Sequence, residues 1–542
     1  MRFGPARPHG EPGRRRSKCD RGSPLDSEGE ERYNSWHLLL EKPDMNVLST
    51  RDNTLQMSAL QAVLQGMAGD GGLFVPERFP RLERDALLRA VAAGYPEVAA
   101  LVLGLYFDVP QPVLRTLTKE AYAGFATPEV VPVKKIAGGV HVMELFHGPT
   151  LAFKDMALQV LPRLMRLALD EFGWKEDALV LTATSGDTGK AALEGFRDVA
   201  RTSVFVFYPL DGVAEMQRLQ MVTQQGGNVG VCAVKGNFDD AQTGVKQLFM
   251  DKEFGAEVGR AGRFLSSANS INVGRLIPQI AYYCHAYARL VADGTVAYGD
   301  GVNFVVPTGN FGNILAAHYA REMGLPVKKL ICASNRNNVL TDFFSQGRYD
   351  ARREFHKTMS PSMDILVSSN LERLLFEICG RDGATVREWM RALGELGVYN
   401  IPADARERLA GGFHADFCTD EETGEAIRNV FGRDGYLMDP HTAVAHAVYE
   451  KYVRCSGDET PSVVVSTANP YKFTTDAWQS LTGEIVADAF AAGEKLSVHT
   501  GTDIPASIRQ LKTAPELHGG FVEKNGLRKA AEDFLNRPAS KA

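Results

Sequence analysis

The chain has 542 residues, with 60 Lys or Arg against 66 Asp or Glu and a net charge of −6. That balance excludes non-specific nucleic-acid binding, which needs a basic footprint, and the length allows a large buried core in roughly two to four domains. Hydrophobic residues make up 44%, yet no apolar run reaches the roughly eighteen residues of a membrane span.

Seven cysteines are scattered and none stands in C-x-x-C spacing, which points to a reducing compartment, the cytoplasm, and away from a disulfide framework. Residues 1–44 are rich in Gly, Pro and charge without apolar periodicity. They are expected to form a disordered extension, either a tail or an over-extended start of translation with Met45 as the native start. From there "TLQMSALQAVLQGMAGDGGLFVPERFPRL" reads as helix, glycine turn, short strand and proline-marked loop. "RDALLRAVAAGYPEVAALVLGLYF" continues as helix, so residues 45–130 are expected to be a small, mainly helical domain. Strands and helices then alternate. "HVMELF", "DALVLTAT", "SVFVFYP", "NVGVCAVKG", "GVNFVVPT" and "KKLICAS" read as strands; "GKAALEGFRDVA", "AEMQRLQMVTQQGG", "DDAQTGVKQLFMDKEF" and "NILAAHYAREMG" read as helices. Repeated βα units imply an α/β fold with doubly wound, mostly parallel sheet. Ligands of such sheets sit beyond the carboxyl ends of the strands.

Four strand-to-helix turns are unusual. The first is "FHGPTLAFKDMALQVL", residues 146–161, where His147-Gly148-Pro149-Thr150 makes a turn and a helix is expected from near Phe153. Helical spacing puts Lys154 on a face with Leu158, Leu161 and Met165, and no carboxylate lies three or four residues on. A buried lysine must find a partner or lose its charge, which makes it a Schiff-base candidate. The same pattern suits a lysine that lays its stem on apolar surface and keeps its head in water. Pro162 can also bend the helix, so spacing alone leaves Lys154 open between the two.

The second turn, "TATSGDTGKAA", fails as a Walker A loop, because Thr184 stands where the first glycine belongs and Ala191 where Ser or Thr is needed. Ser185, Gly186, Asp187, Thr188 and Gly189 remain as donors for an anion at a helix N-terminus, or as an ordinary cap. In the third, "PTGNFGNILAAH", Gly309 and Gly312 allow close backbone approach ahead of another helix. The fourth, "VVVSTANPYKF", ends a buried-type strand at Thr467, a turn residue or a neutral hydroxyl aimed at a ligand. "SSANSINVGRLIPQIAYY" adds Asn269, Ser270, Asn272 and Arg275, a phosphate clamp or a helix cap with a surface arginine. His441 and His446, five apart, do not share a helix face, so no metal pair is expected.

From Ser49 onward these segments, with "STRDN", "GMAGDGGLFVP", "SPSMDILVSSNLERLLFE", "DPHTAVA" and "STANPYKF", resemble the threonine synthases, pyridoxal-phosphate (PLP) enzymes of fold type II, the tryptophan-synthase β-like fold. The resemblance implies two α/β lobes around PLP: a large one from 131–175 and 291–542, and a smaller one from 176–290. It implies that Lys154 carries PLP as a Schiff base, that Gly309, Asn310, Phe311, Gly312 and Asn313 hold its phosphate, and that Thr467 meets the pyridine nitrogen. Ser185, Gly186, Asp187 and Thr188 would lie against the substrate carboxylate and the cofactor face. Asn269, Ser270 and Arg275, with Thr188 and Asn310, would receive a substrate phosphate. Asn469 and Tyr471 stand where the family often has His and Ala, which leaves the local wall of the pocket open. The implied reaction takes O-phospho-L-homoserine and water to L-threonine and phosphate. A PLP phospholyase releasing a 2-keto acid shares the same motifs. A P-loop nucleotide binder is disfavoured by the broken Walker pattern, and a cofactor-free partner-binding homologue by the intact Lys154. The expected partner is a small phosphorylated amino acid, with no nucleic acid, membrane or metal, and a monomer or homodimer.

Overall fold

Short runs of Val, Ile and Phe bounded by Gly, Pro and Asn set the strands. The computed structural model describes residues 45–537, so the extension expected over 1–44 lies outside the described residues. Asn46–Ser49 pairs antiparallel with Gln56–Ser58 and with Phe74–Pro76. Around this small sheet lie the helices Ala59–Gln65, Arg84–Ala93, Tyr95–Tyr106 and Gln111–Tyr122. The first is capped by Ser58, whose hydroxyl accepts the Gln61 N–H. The mainly helical region thus carries two strands beyond the one expected, each too short to show alternation in sequence.

The larger sheet runs, in spatial order, Phe413–Phe417, Val327–Ser334, Val302–Pro307, Ser462–Ser466, His141–Glu144 and Val133–Lys135. All neighbours are parallel except the last pair. The second sheet runs Phe521–Glu523, Val229–Lys235, Thr202–Pro209, Asp177–Ala183 and Arg263–Ser266, parallel throughout. Central strands such as Val302–Pro307 and Thr202–Pro209 are buried along their whole length, which is why they read as continuous apolar runs rather than alternating ones.

Two departures from the sequence reading have local causes. "DDAQTGVKQLFMDKEF" is not one helix but two, Phe238–Met250 and Lys252–Arg260. Asp251 divides them by accepting the N–H groups of Glu253 and Phe254 as an N-cap. The C-terminal segment, grouped by sequence with 291–542, returns to the second sheet. There Phe521–Glu523 pairs with Val229–Lys235, and Phe534, on helix Leu527–Leu535, stacks on Phe205 with centroids 4.7 Å apart.

One helix joins the parts. Val273–Ala292 is buried along most of its length and packs against Tyr95–Tyr106, Gly312–Glu322 and Ala59–Gln65. A Cβ on Gly274 would meet Leu161 Cδ1 at 2.8 Å and Val63 at 3.1 Å, so the glycine allows the close approach that fixes Arg275 next to it.

Candidate active site

Three adjacent strands of the larger sheet end in the loops singled out by sequence. Val302–Pro307 leads to the Gly309–Asn313 loop, Ser462–Ser466 to Thr467, and His141–Glu144 to the turn before Lys154. From the second sheet, Asp177–Ala183 delivers Ser185 to Thr188, and its neighbour Arg263–Ser266 delivers Asn269, Ser270 and Arg275. The candidate residues thus come together at strand carboxyl ends.

The Lys154 turn is tightly built. Asp155 accepts from the Thr150 N–H at 2.8 Å and the Thr150 hydroxyl at 2.7 Å, and a Cβ at Gly148 would meet its carboxylate at 2.4 Å. Burial pushes the Asp155 carboxyl up to about 7, against those hydrogen bonds. Leu151 adopts a left-handed φ of 61°, an uncommon conformation for a branched side chain. Phe153 N–H donates to Thr467 O at 2.8 Å, and Ala152 bridges Ala468, so Lys154 and Thr467 are fixed side by side. The helix is shorter than its spacing suggests: one turn, Asp155–Leu158, then a second helix from Leu161 with Pro162 in its first turn. Leu158, Leu161 and Met165 are nonetheless fully buried.

Lys154 is not a snorkelling surface residue. Its side chain is 12% exposed, and Nζ lies 3.7 Å from Asp187 Oδ2. Burial pushes the amine down to about 8; Asp187 opposes this, while Lys472 and Arg275 reinforce it. The partner absent from the local sequence therefore comes from another βα loop. A Cβ on Gly195 would meet Leu158 O at 2.0 Å, so helix Asp187–Phe196 lies directly on the short Lys154 helix and brings Asp187 with it. Gly186, at φ 142°, starts this helix; a Cβ there would meet Gln217 Oε1 at 2.3 Å. Asp187 also accepts from Gln217 Nε2 at 2.7 Å and Ser362 Oγ at 3.3 Å and pairs with Lys472 Nζ at 2.7 Å. Burial raises its pKa, but Lys472 and Lys154 outweigh that and hold it far below the ordinary carboxylate range. Ser185 is exposed at the mouth and Thr188 half-buried behind it.

The Gly309–Asn313 loop has the build of an anion cradle. Phe311 is buried in a left-handed conformation, φ 62°, immediately before helix Gly312–Glu322. A Cβ on Gly309 would meet Ser362 O at 2.7 Å. Asn313 Oδ1 accepts from Tyr282 and Tyr283 hydroxyls, each at 2.6 Å, while its buried Nδ2 has no protein partner. Asn370 ties this loop to the next segment: its Nδ2 donates to Asn310 O at 2.8 Å and to Ser270 Oγ at 3.2 Å. Arg373, fully buried, donates to Asn370 Oδ1, to Phe74 O at 2.8 Å and to Ile271 O.

Arg275 is buried, and its Nη1 donates to Ala268 O at 2.9 Å. Its Nε has no partner, and among the described residues no carboxylate pairs with it. Burial pushes even this guanidinium down to about 10. Asn272, by contrast, is structural: it caps Gly274 N–H at 2.8 Å and donates to Val63 O and Ser267 O.

Sequence reasoning missed Lys472, Gln217, Ser362, Asn370, Arg373 and His441 as parts of the site. All six lie inside quoted segments, but nothing local marks their role. His441 accepts the Ser362 N–H on Nε2 at 3.2 Å, which leaves its proton on Nδ1, 2.7 Å from Asp439 Oδ1. Asn469 and Tyr471 are supports: Asn469 caps the turn Pro470–Lys472, and Tyr471 hydroxyl donates to Thr502 O at 2.9 Å. Among the described residues no group of His, Cys, Asp and Glu is placed to hold a metal ion, and no helix is long and apolar enough to cross a membrane.

Residues 46–122 match the family described as threonine synthase N terminus, and residues 130–403 match the pyridoxal-phosphate dependent enzyme family. The chain is 38% identical over 483 residues to threonine synthase of Pseudomonas aeruginosa, covering 88% of this chain and 99% of that one. It is 41% identical over 433 residues to human threonine synthase-like 1, covering 78% of this chain and 58% of that protein's length. The solved structure of PLP-bound threonine synthase from Brucella melitensis superposes with a TM-score of 0.80 at 36% identity, over 91% of this chain and all of that one. The residues here fit that cofactor: an amine pushed down to about 8 and, after the strand two places away in the same sheet, a helix N-terminus with an unpaired buried amide and a glycine that backbone must approach closely.

Proposed function

This chain belongs to the threonine synthase family of pyridoxal-phosphate-dependent enzymes, and we propose that it converts O-phospho-L-homoserine and water to L-threonine and inorganic phosphate. PLP, when bound, supplies an electron sink for proton removal from the substrate's carbons. We assign Lys154 to hold it, the Gly309–Asn313 loop to carry its phosphate, and Thr467 to meet its ring nitrogen with a neutral hydroxyl. With its amine pushed down to about 8, Lys154 can take and return protons near neutral pH. Ser185, Gly186 and Thr188 offer donors at a helix start for the substrate carboxylate. Asp187 is turned instead toward the two lysines beside it.

Arg275 carries the assignment of a phosphorylated substrate. A buried cation without a carboxylate is strongly disfavoured unless an anion completes it. The Gly309–Asn313 loop accounts for the cofactor's phosphate, so Arg275, with Asn269 and Ser270, supports a second anion site for the substrate's. Thr188 and Asn310 would close it from the neighbouring loops. We further infer a cytoplasmic enzyme acting as a monomer or homodimer.

A second reading, a phospholyase that releases a 2-keto acid, shares the same motifs and the same first proton removal. Product analysis with O-phospho-L-homoserine separates the two. One threonine per phosphate is expected; 2-oxobutyrate without threonine would transfer the chain to the phospholyase reading.

A further inference from the structure

Two buried lysines share one carboxylate. Lys472 Nζ lies 2.7 Å from Asp187 Oδ1, and Lys154 Nζ lies 3.7 Å from Oδ2. The Lys472 side chain has no exposed surface, and its other partner is the Thr150 carbonyl at 2.9 Å. It therefore acts on the Lys154 amine only through Asp187 and through its charge. Its mounting is rigid: the turn Pro470–Lys472 is capped by Asn469 and tied down by the Tyr471 hydroxyl on Thr502 O. Gln217 and Ser362 satisfy the remaining lone pairs of Asp187, so the carboxylate is held without help from Lys154.

We propose that Lys472 is a positioning residue that holds Asp187 away from a close ion pair with Lys154 and so leaves the Lys154 amine free to capture the cofactor's aldehyde. In that capture the amine lone pair attacks the aldehyde carbon, a C=N bond replaces C=O, and the oxygen leaves as water; nothing is oxidised or reduced. An unprotonated amine is required. The charged groups facing Lys154 are Asp187, which favours its ammonium form, and Lys472 and Arg275, which oppose it. Removing Lys472 leaves Lys154 as the one lysine beside the Asp187 charge and removes a repulsion, so the amine stays protonated to higher pH. Removing the Asp187 charge does the opposite. The inference rests on the PLP-dependent family and not on which product the enzyme releases.

The test is the pH dependence of cofactor capture by the full chain stripped of PLP, followed by the absorbance that grows at about 410–430 nm on mixing with PLP. The wild-type rate is expected to rise with pH around a midpoint of about 8. Lys472→Met should move that midpoint up by about one pH unit and Asp187→Asn should move it down. Lys472→Arg, which keeps the charge, should restore the wild-type midpoint. If Lys472→Met lacks the native circular dichroism spectrum, Lys472→Gln carries the same upward prediction. A merely structural lysine predicts slower capture at every pH with the midpoint in place. That result, or shifts of the Lys472 and Asp187 variants in the same direction, would overturn the proposal.

Discussion

At Arg275 the burial of a charge and its purpose meet in one side chain. The guanidinium spends one donor on Ala268 O and leaves Nε unpaired with no carboxylate in reach. A charge-assisted bond to a phosphate is worth about 1.5–3 kcal/mol, so Arg275→Ala should raise KM for O-phospho-L-homoserine by roughly ten- to a hundred-fold. Steady-state kinetics with that substrate read the effect, and an unchanged KM would remove Arg275 from the phosphate site. Arg275 and its polar neighbours stand out in sequence, but Asn272 stands out equally and proves to be a cap. Residue type and spacing select both; only the direction of each side chain separates a ligand donor from a scaffold donor.

At the scale of elements, the site depends on a helix one turn long. Asp155–Leu158 is held from one side by the Thr150–Asp155 bonds and from the other by helix Asp187–Phe196, whose Gly195 sits on Leu158 O. An alanine there would place a carbon 2.0 Å from a backbone oxygen that no rotamer change can move. Gly195→Ala should therefore destabilise the protein by about 1–3 kcal/mol or more and separate Asp187 from Lys154. Thermal melting reads the first effect and the pH midpoint of PLP capture the second, which should fall as in Asp187→Asn; a native melting temperature with an unmoved midpoint would contradict this packing. The strands, the loops after them and the buried face of Lys154 were legible because apolar runs and glycine-hydroxyl clusters are local patterns. The break between Leu158 and Leu161 was signalled only by Pro162, and the Asp187 and Lys472 partners not at all, since contacts across two sheets leave no local trace.

For the whole molecule, the loops of two mostly parallel sheets converge on one site, and helix Val273–Ala292 ties them to the N-terminal region. The fold class was legible from the repeated βα units; the return of Phe521–Glu523 to the second sheet was not, because three residues carry no period. In the proposed reaction this assembly breaks a carbon–oxygen bond to phosphate and sets water's oxygen on the neighbouring carbon. Turnover of O-phospho-L-homoserine in ¹⁸O-labelled water, read by mass spectrometry of both products, tests it directly. Threonine is expected to carry the label in its hydroxyl and phosphate to carry none; labelled phosphate, or 2-oxobutyrate in place of threonine, would contradict that reaction.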